Sequence, residues 1–593
     1  MSLQVCRSAG LRIVVLAVAS LGVLRHVAAG ERTRVFSVAE TFAGPRLSVD
    51  GVVQPAVAAL PSPFVPPGES VAAMRSFADV GVRLFSNVWS MRNRPHDWWL
   101  GEGRYDWAAF DNFALRLLES CPDGWIMPRI KIEPPAWWLA EHAAEVSPSG
   151  EEVKAESLPW RVLYRRMLRD MVAHVAASPY GGRVAGYHVG GLHCGEWMDF
   201  MRVANGRPPV PERFAADPMA PESATAEARA YLRERARAVA DALIDAAAVI
   251  KGETHGEKVV CAFFGYAQCV DHEDFMRVVR SGLVDMFAAP AYYEGEERGV
   301  GAAGVPQAYY TASYALHGRL FFEEADPRTS LAVLPPSTHS AMSAALRAGR
   351  PADIVQSVGV LKRIVGRNLA QGTGLWWFLI AGNDTFRDAA LMEVVRVGAE
   401  AERLAMMTPR PRFTDVAVFT KAAEYSTSWG CHTNALYEHK RTLHVHKLPR
   451  VGVAYDSYEF SDMANPRVAD YAVYLLPNAH SLSGPERQAV DRLAASGKRI
   501  VMLPRPVGVA DLRRILADAG AHVWLDSDDV VFAGRGHLVV HASSAGIKHV
   551  RLPFQCDVEE IFGASPVRRR VREFNERMEL GDTRVWTLRR SER

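Results

Sequence analysis

Val184-Ala185-Gly186-Tyr187-His188-Val189 runs toward Gly195-Glu196-Trp197, and Leu320-Phe321-Phe322 runs directly into Glu323-Glu324-Ala325-Asp326. Each apolar run predicts a buried strand, and acidic residues follow it. A carboxylate at the end of a buried strand is costly to place, so its presence there is informative. In an eight-stranded β/α barrel, the carboxyl ends of the strands form the floor of the active site. The two stretches therefore predict such a barrel with an acidic site at one end.

The same alternation of helical and apolar segments extends from about residue 70 to residue 382. Continuous apolar strands separated by helices are typical of a parallel sheet that is buried on both faces. An eighth strand, first in order and weakest in pattern, is predicted near 54–60. The other predicted strands are 81–86, 125–132, 184–189, 259–264, 284–290, 320–322 and 375–380. We predict a (β/α)8 TIM barrel over residues 30–410.

Two further domains are predicted after the barrel. Residues 411–535 contain strands at 416–419, 471–476 and 499–503, with a helix at 484–495 that Ser483 is suited to cap. This pattern indicates a smaller, Rossmann-like α/β domain. Short strands at 538–541 and 585–588 indicate a small β domain over residues 536–593. At 593 residues, the chain is long enough for these three domains.

The amino-terminal segment resembles a secretory signal peptide over residues 1–29. Arg7 and Arg12 precede an apolar core at 13–24, and Val27-Ala28-Ala29 offers a small-residue cleavage site. We expect a secreted or periplasmic protein that is free of the membrane once the signal is removed. An uncleaved anchor stays an alternative because Arg25 and His26 interrupt the segment late.

Composition and motifs exclude several classes of function. The net charge is +2, from 69 basic and 67 acidic residues, and no basic block suggests a nucleic-acid partner. The six cysteines outside the signal show no metal-binding spacing, and no metal or cofactor is predicted. The glycine motif at 299–304 lacks the strand before it and the helix after it that a nucleotide site requires.

The order of these segments resembles that of glycoside hydrolase family 42, the β-galactosidases whose barrels belong to clan A. Within the barrel the resemblance rests on five motifs, and it covers most of residues 45–590. The motifs are Gly81-Val82-Arg83-Leu84-Phe85-Ser86, Glu133-Pro134-Pro135-Ala136-Trp137-Trp138, Gly195-Glu196-Trp197, Glu323-Glu324-Ala325-Asp326-Pro327-Arg328-Thr329 and Trp376-Trp377-Phe378.

The resemblance implies both an assembly and a catalytic pair. The α/β domain is similar to the family's trimerisation domain, which has a glutamine-amidotransferase-like fold without the nucleophile, so a homotrimer is expected. The acid/base would be Glu196, after strand 4, and the nucleophile Glu324, after strand 7. The sequence departs from clan A in having Gly195 where an asparagine normally grips the sugar 2-hydroxyl. His193 is the candidate substitute, unless the specificity differs.

The chemistry of the two glutamates agrees with these roles. Retaining glycosidases need two carboxyl groups about 5 Å apart, one protonated and the other ionised. Apolar neighbours such as Trp197 favour a protonated Glu196, although this residue could equally lie in a surface loop. Nearby Arg328 favours an ionised Glu324, unless Arg328 and Asp326 merely form a salt bridge at the rim. Glu323 and Glu324 cannot both face inward on a regular strand, and the resemblance favours Glu324.

Aromatic and acidic residues near other strand ends are candidates for binding the sugar. Those predicted to bind substrate are Glu133, Trp137, Trp138, His193, Tyr292, Tyr293, Trp376 and Trp377. Of the last pair, one indole should face the barrel and the other should pack under a helix. Core packing is the alternative for each tryptophan, and an ion pair with Arg129 or Lys131 is the alternative for Glu133.

The sequence thus favours a secreted retaining exo-glycosidase that acts on terminal β-galactosides or related glycans. One alternative is a glycosidase for another sugar, such as an arabinoside, mannoside or fucoside. The other is a catalytically weak barrel that only binds carbohydrate.

Overall fold

The computed structural model describes residues 34–60, 67–89, 98–146, 153–192, 195–198, 226–267, 269–292, 295–332, 349–378, 384–422, 441–477, 482–503, 506–563 and 565–591. The predicted signal peptide at 1–29 lies outside these ranges. No helix among the described residues combines the length and the apolar character that crossing a bilayer requires.

Eight parallel strands close into a barrel, as the sequence predicts, and the weakly patterned first strand is among them. Each strand pairs in parallel with the next, and the eighth pairs with the first. Most of their side chains are buried because helices cover the outside of the barrel and side chains fill its interior. The strands are β1 (Val57–Leu60), β2 (Leu84–Trp89), β3 (Trp125–Lys131), β4 (Gly186–Gly190), β5 (Val259–Phe263), β6 (Met286–Pro290), β7 (Leu320–Ala325) and β8 (Gly374–Phe378).

Helices connect the barrel strands and continue into the second domain. Where their ends are well defined, the sequence explains them: the Asp353 carboxylate accepts from the Gln356 N–H at the start of one helix, and Gly372, at φ 71°, ends it. The helices are α1 (Pro67–Asp79), α2 (Ala108–Ser120), α3 (Ala136–Glu141), α4 (Leu158–Ala177), α5 (Ala226–Glu253), α6 (Phe275–Ser281), α7 (Gly295–Arg298), α8 (Thr311–Leu316), α9 (Ile354–Gln371), α10 (Ala389–Met407), α11 (Gly484–Ala495) and α12 (Val509–Asp518).

A small antiparallel sheet covers the amino end of the barrel. Its strands are Phe36–Thr41, Gly44–Val49 and Val52–Val53. The Phe36 N–H donates to the Glu257 carbonyl at 2.8 Å, and its ring meets Trp125, the first residue of β3, edge to face. The sheet therefore leaves the opposite end, where the carboxyl ends of the strands lie, as the place for a site.

The second domain is a parallel α/β sheet. Its strands are β9 (Val416–Thr420), β10 (Tyr455–Glu459), β11 (Val473–Pro477) and β12 (Arg499–Leu503), in the spatial order β10-β9-β11-β12. β10 is not among the strands predicted from the sequence, because Asp456, Ser457 and Glu459 leave no apolar run there. The predicted helix at 484–495 is present, and the Ser483 N–H donates to Glu486 at 2.7 Å in a capping box.

The carboxyl-terminal residues form a five-stranded antiparallel sheet that packs on α9. Its first strand precedes the predicted domain boundary at 535/536, since 530–534 pair with 537–541 as a hairpin. In spatial order the strands are β13 (Val530–Gly534), β14 (His537–His541), β17 (Thr583–Arg590), β15 (Gly546–Glu560) and β16 (Arg568–Met578).

Candidate active site

The two adjacent glutamates of β7 face opposite sides of the barrel wall. The Glu323 carboxylate forms an ion pair with Arg367 and accepts from the Asn368 side-chain amide at 2.6 Å, and both partners belong to α9 outside the barrel. Because side chains alternate along a strand, Glu324 points to the interior. There it is in register with Trp376 of β8. Of the two, only Glu324 is placed to act inside the barrel.

Glu324 is deeply buried, with 2 % of its surface exposed. Burial raises the pKa of its carboxyl to about 8, an effect that the negative charges of Glu196 and Asp326 reinforce and the cations Arg129 and Arg298 oppose. The Oε1 atom has no hydrogen-bond partner among the described residues. With Oε1 free of partners, the carboxyl can accept a hydrogen bond or, once it is ionised, act as a nucleophile, and its raised pKa favours the neutral form near pH 7.

Arg328 does not act on Glu324 as the sequence analysis expected. Its guanidinium pairs with Asp326, and Arg298 reaches the same carboxylate from α7 at 3.2 Å. Arg298 also donates to the Tyr292 carbonyl at 2.7 Å. These contacts join the loops after β6 and β7, so the alternative, a salt bridge at the rim, describes Arg328. Burial raises the pKa of Glu324 more than the nearby cations lower it, and the Glu324 carboxyl therefore favours its neutral form.

Glu196 lies in a tight turn after β4. Gly195 has φ 69° and Trp197 has φ 57°, both in the left-handed region. The Trp197 indole is fully buried and donates to the Val189 carbonyl at 3.0 Å, while its backbone N–H donates to Gly191 at 2.7 Å. These two hydrogen bonds of Trp197 hold the turn in place below the open end of the barrel. The side chain of the neighbouring Glu196 is 18 % exposed.

Polar groups from two other strands hold Glu196. Arg129, on β3, places Nη2 3.5 Å from Glu196 Oε1. The Tyr266 hydroxyl, just beyond β5, donates to Oε2 at 3.1 Å. The prediction for Glu196 rests on its apolar neighbours in the sequence, and the structure adds these polar ones. Cys194, the other apolar residue close to Glu196 in the sequence, lies outside the described residues.

Arg129 connects the two carboxylates electrostatically. Its guanidinium lies over the Phe263 ring at 4.3 Å, which fixes its plane inside the barrel. From there it contacts Glu196 and lowers the pKa of Glu324. From the sequence, Arg129 is a candidate only as an ion-pair partner of Glu133. The sequence does contain a signal that Arg129 belongs to the site, because this charged residue interrupts the apolar run of β3 at an inward position.

The structure gives a physical reason for glycine before Glu196. A Cβ on Gly195 would lie 2.8 Å from Cγ of Lys131, closer than side chains pack, and the backbone there is left-handed. An asparagine at this position would have to displace Lys131. His193, the predicted substitute, lies outside the described residues.

The tryptophan pair of β8 divides as alternation requires. Trp376 faces inward against His188, at 5.4 Å between ring centroids, and against Phe322 at 5.8 Å. Trp377 faces outward and packs on Phe386 at 5.6 Å between ring centroids. It therefore does not line the barrel, and its prediction as a substrate-binding residue is wrong. Trp376 is also fully buried, and in this state it supports the floor of the site rather than offering an open platform.

The structure describes most of the remaining residues that are predicted to bind substrate. Trp137 is half-buried and donates to the Trp99 carbonyl at 3.1 Å, whereas Trp138 is buried and stacks on His142 at 4.2 Å. Glu133 is buried, with Lys131 Nζ at 3.9 Å, as the ion-pair alternative proposed. Tyr292 is buried beside the loop that Arg298 organises. Tyr293 lies outside the described residues.

Comparison with known proteins gives structural relatives only. No family model matches the chain, and none of the curated proteins does. Gan42B, a GH42 β-galactosidase from G. stearothermophilus, superposes with a TM-score of 0.59 at 10 % identity, covering 95 % of this chain and all of that one. A catalytic mutant of Gan42B gives 0.58 at 10 % identity, over 94 % of this chain. The chain thus has the fold of a GH42 β-galactosidase with a divergent sequence.

Proposed function

We propose that this chain is a retaining glycoside hydrolase in which Glu196 is the general acid/base and Glu324 the nucleophile. The observation on which the proposal rests is that the Glu196 and Glu324 carboxyls lie inside one barrel, close enough for the charge of Glu196 to raise the pKa of Glu324, and that Arg129 contacts Glu196 while its charge lowers that pKa. A pair of carboxyl groups on either side of a glycosidic bond is what this chemistry uses. The structural neighbours, which are glycoside hydrolases, support the same class.

The environments of the two carboxyls suit different steps. Glu196 retains some exposure and can exchange a proton with the leaving oxygen and then with water. Glu324 is buried and has a free Oε1, so substrate must reach it from the barrel mouth. In the proposed mechanism, ionised Glu324 attacks the anomeric carbon while Glu196 protonates the leaving oxygen. Water then hydrolyses the glycosyl-enzyme with Glu196 as base.

The proposed substrates are terminal β-galactosides or related glycans, cleaved in the exo mode. The GH42 fold of the whole chain supports this choice. A glycosidase for another sugar is the alternative that Gly195 favours, because the asparagine that makes the contact to the 2-hydroxyl in clan A is replaced by glycine. A weak carbohydrate-binding barrel would not need both Glu196 and Glu324, and the chain has both.

Chemical rescue tests the assignment of roles. Glu324→Gly should lose turnover of an aryl β-galactoside, and added azide should restore it with a glycosyl azide of inverted configuration. Glu196→Ala with azide should give the retained configuration instead. Glu323→Gln is the matched control, since its carboxylate faces α9 and should not respond to azide. Full activity of Glu324→Gly without azide would refute the assignment.

Location and assembly belong to the same proposal. Residues 1–29 are proposed to direct secretion, or export to the periplasm, and to be removed. The second domain is proposed to mediate self-association into a trimer and not to bind a cofactor. Light scattering of the intact protein should give about three times 65.3 kDa. A strict monomer at micromolar concentration would contradict this part, and an intact amino terminus in the exported protein would contradict the cleavage.

A further inference from the structure

The loop after β5 makes two separate hydrogen bonds to Glu196. The Tyr266 hydroxyl donates to the carboxylate at 3.1 Å, and the His272 imidazole bonds through Nε2 to the Glu196 carbonyl at 2.8 Å. One contact fixes the side chain and the other fixes the backbone. Tyr266 and His272 are nearly fully buried, so solvent does not compete for either bond.

The tautomer of His272 follows from its partners. The Tyr266 backbone N–H donates to Nδ1 at 3.0 Å, so Nδ1 carries no proton. The proton is then on Nε2, from which it is donated to the Glu196 carbonyl. Burial lowers the pKa of His272 to about 4, which keeps the ring neutral and preserves this arrangement at ordinary pH. A single imidazole therefore joins the turn after β4 to the loop after β5.

A buried ion pair supports this loop from outside the barrel. Asp271, next to His272, pairs with Arg235 of α5, and both side chains are largely buried. Such a pair is costly to break, because loss of one partner leaves the other charge buried and unpaired. The loop that carries Tyr266 and His272 is thus anchored to a long helix at the point where it meets Glu196.

We propose that Tyr266 and His272 are positioning residues that hold Glu196 at the leaving oxygen, one through its carboxylate and the other through its backbone carbonyl. The inference deepens the proposed function and rests on it. A proton donor whose carboxylate and backbone are both tied cannot rotate away from the glycosidic bond. The loss of either tie should therefore impair proton donation more than it impairs sugar binding.

Leaving-group dependence measures this effect. Departure of a methyl alcohol needs a proton from Glu196, whereas a dinitrophenolate departs without one. For Tyr266→Phe we expect kcat/KM on a methyl β-galactoside to fall about 10- to 100-fold, or about 1.4 to 2.7 kcal/mol. On the dinitrophenyl β-galactoside it should change less than about threefold, the scale of a lost minor contact. His272→Phe should behave similarly, and His272→Gln, which keeps a donor near the Nε2 position, should recover most of the activity.

Two controls separate the possible outcomes. Tyr164→Phe removes another buried phenol that donates to a carboxylate, that of Asp245 at 2.7 Å, between helices away from the site. It should cost stability without altering the ratio of the two rates. Glu196→Ala must itself show strong leaving-group dependence; if it does not, the proposed function fails. If Glu196→Ala shows it and Tyr266→Phe lowers both rates equally, only the positioning proposal is overturned.

Discussion

The Asn368 side-chain amide donates to Glu323 at 2.6 Å on the outer face of the barrel, and this contact assigns the inner face to Glu324. Arg367 is the second partner of Glu323 on this face, and the two side chains form an ion pair. Both belong to the helix α9, which also supports the carboxyl-terminal sheet. The adjacent glutamates therefore have separate tasks, the outer one in packing and the inner one in the proposed chemistry.

Substitution of each glutamate should separate stability from turnover. Glu323→Gln leaves Arg367 without its counter-charge in a buried position, so we expect a loss of about 3 kcal/mol in the free energy of unfolding, with activity retained in the folded fraction. Glu324→Gln should reduce kcat by at least about 10³-fold, because an amide at this position cannot form the glycosyl-enzyme. Urea denaturation and steady-state kinetics on both variants check this. Loss of catalysis in folded Glu323→Gln would reverse the assignment.

The pattern of residues predicts the strand order, but the choice of Glu324 over Glu323 as the inward residue rests mainly on the family resemblance. Eight apolar runs and their spacing indicate a barrel, and alternation requires that Glu323 and Glu324 face opposite ways. Alternation along the strand does not say which of the two glutamates faces inward. The residues that decide this, Arg367 and Asn368, follow only later in the chain. The environment of Glu196 depends similarly on strands β3 and β5, which barrel closure brings next to it.

The expected pKa of Glu324 was wrong for a related reason. Proximity in sequence suggested that Arg328 would keep Glu324 ionised, but Arg328 turns to Asp326 and burial dominates. The candidates from the sequence come from the ends of β3, β4, β6, β7 and β8 but not from the end of β5, although Tyr266 lies only three residues beyond that strand. The same rule, extended to β5, would include Tyr266 among the candidates but not His272, which lies nine residues beyond the strand.

The buried Glu324 should make stability depend on pH. Burial raises its pKa to about 8, against an ordinary value of 4.5. Between these values the folded protein keeps a proton that the unfolded chain releases, so the free energy of unfolding falls as the pH rises through this window. Glu324→Gln lacks this titration. Relative to wild type, it should gain up to about 5 kcal/mol between about pH 4 and pH 9. Denaturation at both pH values checks this, and a constant difference would contradict it.

Arg129 should set the pH dependence of activity. Its charge lowers the pKa of Glu324, so Arg129→Gln should raise that pKa further. Because Glu324 must be ionised to attack, the rising limb of kcat/KM should move to higher pH. If the pKa rises from about 8 by about 1, the loss of activity should be about fivefold larger at pH 7 than at pH 9. Arg165→Gln, which removes a cation paired with Asp245 on the outer helices, is the control. An unchanged limb in Arg129→Gln would show that Arg129 acts only by packing.

Replacing Gly195 with the asparagine that is usual in clan A should not by itself provide the contact to the sugar 2-hydroxyl. Gly195→Asn introduces a Cβ 2.8 Å from Lys131 Cγ at a left-handed backbone position. We expect a loss of about 1 kcal/mol in stability and a lower kcat, because the turn that carries Glu196 must shift. Adding Lys131→Ala removes the clash and should recover part of both. Thermal melting and kinetics of the single and double variants test the coupling, and equal effects in both backgrounds would exclude a clash.

The same glycine bears on specificity at the sugar 2-hydroxyl. In glycosidases of this type, hydrogen bonds to that hydroxyl strengthen in the transition state and supply several kcal/mol. Gly195 has no side chain to make one. We therefore expect a 2-deoxygalactoside to react at a rate close to that of its parent, with kcat/KM compared on matched aryl leaving groups. A deficit of about 10³-fold, equal to about 4 kcal/mol, would show that another group holds the hydroxyl. His193, two residues before Gly195, would then be the first residue to replace, with His193→Ala expected to abolish the difference.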